Sequence, residues 1–295
     1  MLPPVPHETI RFAGFEGIPL VADAHGAPDA WPVLLMHGGG QTRHAWGGTA
    51  EALARAGLRA VSLDLRGHGD SGWAPHGDYS FTSFGADCIA VCDRLGRPPV
   101  LVGASLGGVA AILAEGNSDR VVSSALVIVD VTHRNNREGI QRITDFMKSG
   151  LGGFATLEDA AAAIAAYTPH RRRAPNPEGL AKVLRRKPDG RWHWHWDPAF
   201  LSRKGGEVPP PDFQALFEVA LANIEVPTLL VRGKLSDVVT AEGVDDFLAK
   251  IPHAKLADVS DAAHMVAGDQ NDAFSSAVIH FLEDEVRPRL PAAGP

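Results

Sequence analysis

The sequence predicts an α/β fold: a mostly parallel central sheet with helices on both faces and an inserted, mainly helical segment. Three observations predict it. Short apolar runs alternate with helical stretches in the first and last parts of the chain. Those runs are continuous rather than alternating, which suits strands covered on both faces. The alternation stops between Val131 and about Asn223, where the chain turns polar and irregular, and resumes at VPTLLVRG.

Each element has its own signal. ETIRFAGFEGIPLVADAHG, from Glu8, reads as an antiparallel hairpin at the sheet edge. Buried strands are expected at WPVLLMHG from Trp31, RAVSLDL from Arg59, PVLVGAS from Pro99, ALVIVDV from Ala125, PTLLVRG from Pro227 and AKLADVS from Ala254. A helix from Gly48 ends at Gly57, and another runs from a capping Ser83 to a stop at Gly96. GVAAILAEG (Gly108 to Gly116), AEGVDDFLAKI and DAFSSAVIHFLEDEV read as helices, as does TLEDAAAAIAAY inside the inserted stretch. RPRLPAAGP reads as a frayed tail. The expected organisation is a core over 1–130, an insertion over 131–222 and the rest of the core over 223–295.

Composition narrows the function. A chain of 295 residues, 45% hydrophobic and 21% charged, is ordinary globular material with ample length for a large core. A net charge of -7 gives no electrostatic footprint for nucleic acid. No apolar run approaches the roughly 18 residues of a membrane span, so no membrane partner is expected. MLPPVPHETIRF has neither a basic n-region nor an apolar h-region, so a cytoplasmic protein without a signal peptide is expected. Cys88 and Cys92, the only two cysteines, read as small buried thiols on one helix face. The thirteen histidines are scattered and no Cys/His cluster has zinc-ligand spacing, so no metal site is expected. The expected partner is a small-molecule substrate, and homodimer formation stays open.

The chemistry centres on LVGASLGG. Gly103-Ala104-Ser105-Leu106-Gly107 fits G-x-S-x-G, with a strand before it and a helix after it. Such a turn raises one serine hydroxyl at the sheet end, and glycines two residues either side avoid collision between strand and helix. A serine is a weak nucleophile and needs a base. His264, in SDAAHMVAGD, follows the last strand-like run, with apolar Met265 and Val266 beside it. The base needs an orienting acid. Asp237, just past the strand from Pro227, is the first candidate; Asp130, ending the strand from Ala125, is the alternative. The oxyanion needs two N–H donors: Leu106, after the nucleophile, and a glycine of HGGGQ, with Gly39 first and Gly40 second.

LLMHGGG, DLRGHGDS (Asp64 to Ser71), LVGASLGG, VRGKLSDVV and AAHMVAGD, in this order over residues 31 to 269, resemble the α/β-hydrolase superfamily in its cap-bearing form. The resemblance implies an α/β-hydrolase fold, a cap at about 131–222, a Ser-Asp-His chain order and no cofactor. It makes DLRGHGDS a structural loop behind the site. It also implies that the aspartate nucleophile of epoxide and carbon–halogen hydrolases is absent, since Ser105 stands there.

Cap residues would set specificity. RWHWHWD places Trp192, Trp194 and Trp196 on one side of a strand-like ribbon, either walling the pocket or pinning the cap to the core. Trp46, after the oxyanion glycines, is the stronger pocket candidate; Gly40, Trp194 and Met265 complete the expected lining. HRRRAP (His170 to Pro175) with Arg185, Arg186 and Lys187 reads as a solvated basic face. The expected activity is hydrolysis of a small to medium carboxylic ester through Ser105, His264 and Asp237. A C–C bond hydrolase or lactonase would use the same residues, and a receptor-like binder on this fold would keep them without turnover.

Overall fold

The computed structural model describes residues 5–168, 176–202, 211–259 and 271–289. The chain opens with the antiparallel pair β1 (His7–Ala13) and β2 (Pro19–His25). There follow β3 (Trp31–Met36), α1 (Gly47–Arg55), β4 (Leu58–Leu63), α2 (Phe81–Cys92), β5 (Val100–Ala104), α3 (Leu106–Gly116) and β6 (Ala125–Val129). After the interruption come β9 (Thr228–Gly233), α8 (Ala241–Lys250), β10 (Lys255–Val259) and α9 (Asn271–Phe281). The sheet order is β1-β2-β4-β3-β5-β6-β9-β10, with β3 to β6, β9 and β10 parallel and the hairpin antiparallel at one edge.

The continuous apolar runs have a direct cause. Successive side chains of a strand point to opposite faces, and both faces are covered. Leu34, Met36, Leu101, Ile128 and Leu230 pack under α2, α3 and α8. Val33, Leu35, Val102, Val127 and Val231 pack under α1 and α9, where Phe274, Val278 and Phe281 lie. Burying each such side chain contributes about 1.5–3 kcal/mol, so neither face tolerates a polar residue without loss.

Two local expectations shift. Helix α2 begins earlier than expected: its cap is Ser80, whose hydroxyl accepts the Ser83 N–H at 3.3 Å, and the helix ends at Asp93 rather than Gly96. Ser83 instead donates its own hydroxyl to Asp78 at 2.5 Å. The two thiols, Cys88 and Cys92, are buried and unbridged in this helix.

Between β6 and β9 the described chain forms α4 (Arg137–Ser149), α5 (Leu157–Tyr167), α6 (Pro177–Leu180), a ribbon of β7 (Leu184–Arg186) and β8 (Trp192–Trp194), and α7 (Pro211–Ala222). The last of these packs on the core: Ala220 lies directly on Gly116 of α3, and Asn223 Nδ2 donates to the Gly116 carbonyl at 2.9 Å. Trp194 pairs across the ribbon with Leu184 and meets Phe146 and Phe154 edge-on at 5.8 and 5.4 Å. Trp196 falls past the strand and is buried in the main core beside Phe200.

The segment is sewn to the core at two places. Gly69 N–H donates to the His195 carbonyl at 2.7 Å, Asp197 N–H to that of Gly67 at 2.8 Å, and the Tyr79 hydroxyl to the Asp197 carboxylate at 2.5 Å. On the other side Asn136 N–H donates to the Val238 carbonyl at 2.8 Å. Of the basic residues, Arg185 pairs with Asp70 at 3.1 Å, while 169–175 lie outside the described residues.

Candidate active site

Ser105 sits between the end of β5 and the first turn of α3, with φ 47° and ψ −111°. A non-glycine residue held there stores about 1–3 kcal/mol of strain and persists only when its surroundings impose it. They do: its N–H donates to the Val129 carbonyl at 2.9 Å, and its carbonyl accepts the Val109 N–H at 3.0 Å. The flanking glycines allow the close approach. A Cβ on Gly103 would stand 2.3 Å from the Gly107 carbonyl oxygen, and one on Gly107 would stand 2.3 Å from that of Met36.

The HGGGQ loop follows β3 beside this turn; a Cβ added to Gly38 would lie 3.5 Å from the Ser105 Cβ. Its backbone donors are unequal. Gly38 N–H goes to Gln41 Oε1 at 2.9 Å, and Gly40 N–H goes to His68 Nε2 at 3.0 Å. Among the described residues, Gly39 N–H and Leu106 N–H have no acceptor. Leu106 is also the first residue of an eleven-residue helix, whose N-terminal N–H groups carry partial positive charge. Two unspent donors thus flank the serine.

Two buried histidines brace this loop. His37 Nδ1 donates to the Gly38 carbonyl at 2.8 Å and Nε2 accepts the Leu65 N–H at 3.1 Å, which assigns the proton to Nδ1. Burial holds its pKa down at about 4. His68 repeats the arrangement, donating from Nδ1 to the Arg66 carbonyl at 2.9 Å. Both rings are committed through both nitrogens and serve the scaffold. Arg43 locks the far end of the loop: its guanidinium meets Asp23 at 2.9 Å, Asp70 at 2.8 Å and Asp64. DLRGHGDS is therefore the bracket behind the glycine loop that follows β3. The sequence reading missed the part His68 plays, because its partner lies 28 residues away.

The two candidate acids occupy different surroundings. Asp130 directly follows β6, the strand paired with β5, and the Ala104–Val129 register puts it beside Ser105. It is 1% exposed and has φ 51°. One carboxylate oxygen accepts the Ser236 hydroxyl at 2.6 Å, and the other receives the Gly233 N–H at 3.4 Å. Asp237, past β9, has a side chain 37% exposed and meets Arg142 of α4 at 2.5 Å. His264 and Met265 lie outside the described residues.

Two side chains of the inserted segment roof the glycines. Phe200 lies over Gly39, where an added Cβ would be 3.3 Å from its ring, and Met147 lies over Gly40, with Cε 3.0 Å from the same construction. Neither was foreseen from sequence. Trp194 lies against Gly150, at the end of the helix that carries Met147. Trp46, expected at the pocket, is instead fully buried on the opposite face of the sheet, with its ring 5.7 Å from Phe274. A cavity of about 150 Å³ lies at the other end of the strands, lined by Thr228, His253, Lys255 and Glu285. It is remote from Ser105.

The profile of the alpha/beta hydrolase family matches residues 33–277. Esterase Rv0045c of Mycobacterium tuberculosis is 30% identical over 259 residues, covering 85% of this chain and 82% of its own. Its crystal structure superposes with a TM-score of 0.72 over 96% of this chain and 93% of that one, at 26% identity. The mouse (Mus musculus) sn-1-specific diacylglycerol lipase ABHD11 is 26% identical over 85% of this chain and 80% of its own. The crystal structure of E-2-(acetamidomethylene)succinate hydrolase shares the fold, with a TM-score of 0.81 over 94% of this chain and all of that one, at 19% identity.

Proposed function

This chain belongs to the alpha/beta hydrolase family, and we propose that within it the protein is a serine hydrolase of small to medium carboxylic esters. The observation that carries the reading is the strained Ser105 turn flanked by the two unspent N–H donors of Gly39 and Leu106. A serine held in this conformation between a strand and a helix is the arrangement that presents a hydroxyl for attack. The names of two relatives, an esterase matched over 82% of its length and a diacylglycerol lipase matched over 80%, support an ester as the bond attacked.

The chemistry follows from the residues. Ser105 Oγ attacks the ester carbonyl carbon while His264 takes its proton. Negative charge develops on the carbonyl oxygen, where the Gly39 and Leu106 N–H groups stabilise it; one such donor is worth about 10²–10³ in kcat. His264 then protonates the leaving alcohol, and a water deprotonated by His264 releases the acid from the acyl-serine. Asp130 is the acid of this reading in preference to Asp237. It is buried and directly follows Val129, the register partner of Ala104, as Ser105 follows Ala104, whereas Asp237 is part exposed and already paired with an arginine. A carboxylate shielded from water stabilises an imidazolium more strongly than one screened by solvent and a guanidinium.

A fluorophosphonate probe with mass analysis, run beside turnover of p-nitrophenyl acetate and butyrate, tests the proposal. One adduct on the native protein, none on Ser105→Ala, and turnover lost with the serine is the expected result. A folded native protein that neither labels nor turns over any ester would remove the nucleophile assignment.

A further inference from the structure

Ser236 belongs to none of the roles above, yet its hydrogen bonds are fully determined. A serine hydroxyl has one proton and two lone pairs. Val238 N–H and Val239 N–H both donate to Ser236 Oγ, each at 3.2 Å, which occupies the acceptor side. The single proton then points to Asp130, whose carboxylate oxygen lies 2.6 Å away. The turn is closed by Ser236 N–H donating to the Gly233 carbonyl at 2.9 Å, and Gly233 N–H in turn faces the other Asp130 oxygen.

The loop carrying Ser236 is pinned from outside as well. Val238 accepts the Asn136 N–H at 2.8 Å, the Asp237 backbone packs on Gly139, where an added Cβ would lie 2.4 Å from its carbonyl oxygen, and Arg142 holds the Asp237 carboxylate. One short loop thus grips the buried carboxylate on its inner side and the first helix of the inserted segment on its outer side. Asp130 itself has a backbone at positive φ, a conformation that its surroundings must impose.

We propose that Ser236 is a positioning residue for the reaction: its hydroxyl fixes the direction of the Asp130 carboxylate, the acid of the proposed triad. This rests on the assignment of Asp130 as the acid. Ser236 touches no reacting atom; it acts through Asp130 alone. Misorientation of a catalytic group by about 1 Å costs on the order of 100-fold, so losing one of the bonds that aim this carboxylate should cost about 10- to 100-fold.

The test is a double-mutant cycle on p-nitrophenyl acetate with Ser236→Ala, Asp130→Asn and the double variant, plus Ser236→Thr. Asparagine tolerates positive φ, and its single oxygen still accepts the serine proton, while its NH2 gives up only the longer bond from the Gly233 N–H at 3.4 Å. The expected result is a kcat loss of about 10- to 100-fold in Ser236→Ala with KM changed less than about threefold, recovery of most of the loss in Ser236→Thr, and no further loss when Ser236→Ala is added to Asp130→Asn. A Ser236→Ala loss that persists in full on the Asp130→Asn background, or native kcat in folded Ser236→Ala, would overturn the positioning role while leaving Asp130 as the acid. Near-native kcat in Asp130→Asn would instead overturn the acid assignment, and this inference with it.

Discussion

Gly40 donates its backbone N–H to His68 Nε2 at 3.0 Å, and that bond sets which glycine of the loop stays open. Gly38 is spent on Gln41, Gly40 on His68, and only Gly39 of the three keeps its donor unspent among the described residues. The expected consequence is that His68→Leu, which keeps bulk but removes the acceptor, lets the loop relax. A buried donor left unpaired costs about 1–3 kcal/mol, and the oxyanion geometry loosens with it. We expect kcat to fall by about tenfold or more with KM little changed. Steady-state kinetics on a variant verified by circular dichroism would check this; an unaltered kcat would mean that the loop holds itself.

The tight strand-to-helix turn makes a stability prediction. A Cβ on Gly107 would stand 2.3 Å from the Met36 carbonyl oxygen, which belongs to main chain in the core. Nothing flexible can retreat. Gly107→Ala should therefore destabilise the protein by about 3 kcal/mol or more. Urea denaturation measures it, and a midpoint equal to that of the native chain would contradict the crowding.

Much of this architecture could be read from the sequence, and the reasons are physical. Strands buried on both faces admit no polar position, so WPVLLM, VLVGA and ALVIV stand out. Ser105 stands out because glycines two residues either side have few other uses. Less legible was α2, where Ser80 and Ser83 are both competent caps three residues apart and only the Ser83–Asp78 bond decides between them. Helix α7 falls inside the expected 131–222 insertion, and its packing on α3 was not legible, because Phe217, Ala220 and Leu221 form the same apolar stripe whether they meet a cap or the core. Trp46 was misplaced for a related reason: an aromatic close in sequence to the site can lie on either face of the sheet. Asp130 and Asp237 both end strands, and only burial and partners separate them.

Met147 should govern acyl size. Its thioether lies over Gly40 and is almost entirely enclosed, so it occupies space that a longer acyl chain would need. Phe200 cannot yield in its place, being held edge-on by His68, Tyr79 and Phe84. Each methylene accommodated is worth about 0.8 kcal/mol, or roughly fourfold. Met147→Ala should raise kcat/KM for octanoate relative to acetate by about tenfold or more. Chain-length profiles of p-nitrophenyl esters would decide; an unchanged profile would place the acyl chain elsewhere.

Acid should weaken the fold through His37. Its folded-state pKa of about 4 lies below the ordinary 6.5 of the unfolded chain, because burial penalises the charged ring. Between those values the unfolded chain binds more protons, so stability rises with pH across that window. The contribution is fully present above about pH 6.5 and is lost as pH falls toward 4, amounting to about 3 kcal/mol in all. Burial also lowers the pKa of His25, His44, His133 and His195, all in the same direction. An NMR titration isolates His37: its ring resonances should stay put until the pH nears 4. A midpoint near 6.5 in the folded protein would disprove the assignment.

Asp130 and Asp237 are separated by paired substitutions. Asp130→Asn keeps an acceptor for the Ser236 hydroxyl, gives up the longer Gly233 N–H bond, and removes the charge that would stabilise a protonated His264. Loss of that charge in a triad costs about 10⁴ in kcat, and a loss of about 10³ or more is expected here. Asp237→Asn removes one half of a half-exposed ion pair with Arg142, whose worth is about 0–1 kcal/mol. Its kcat should stay within about threefold of native, and Arg142→Ala should match it, because in this reading the pair fastens α4 to the loop after β9 and does no chemistry. Stopped-time assays with p-nitrophenyl acetate on all three variants give the comparison. The reverse ranking, with Asp237→Asn inactive and Asp130→Asn active, would make Asp237 the acid and leave Asp130 with Ser236 as a buried brace between β6 and the loop beyond β9.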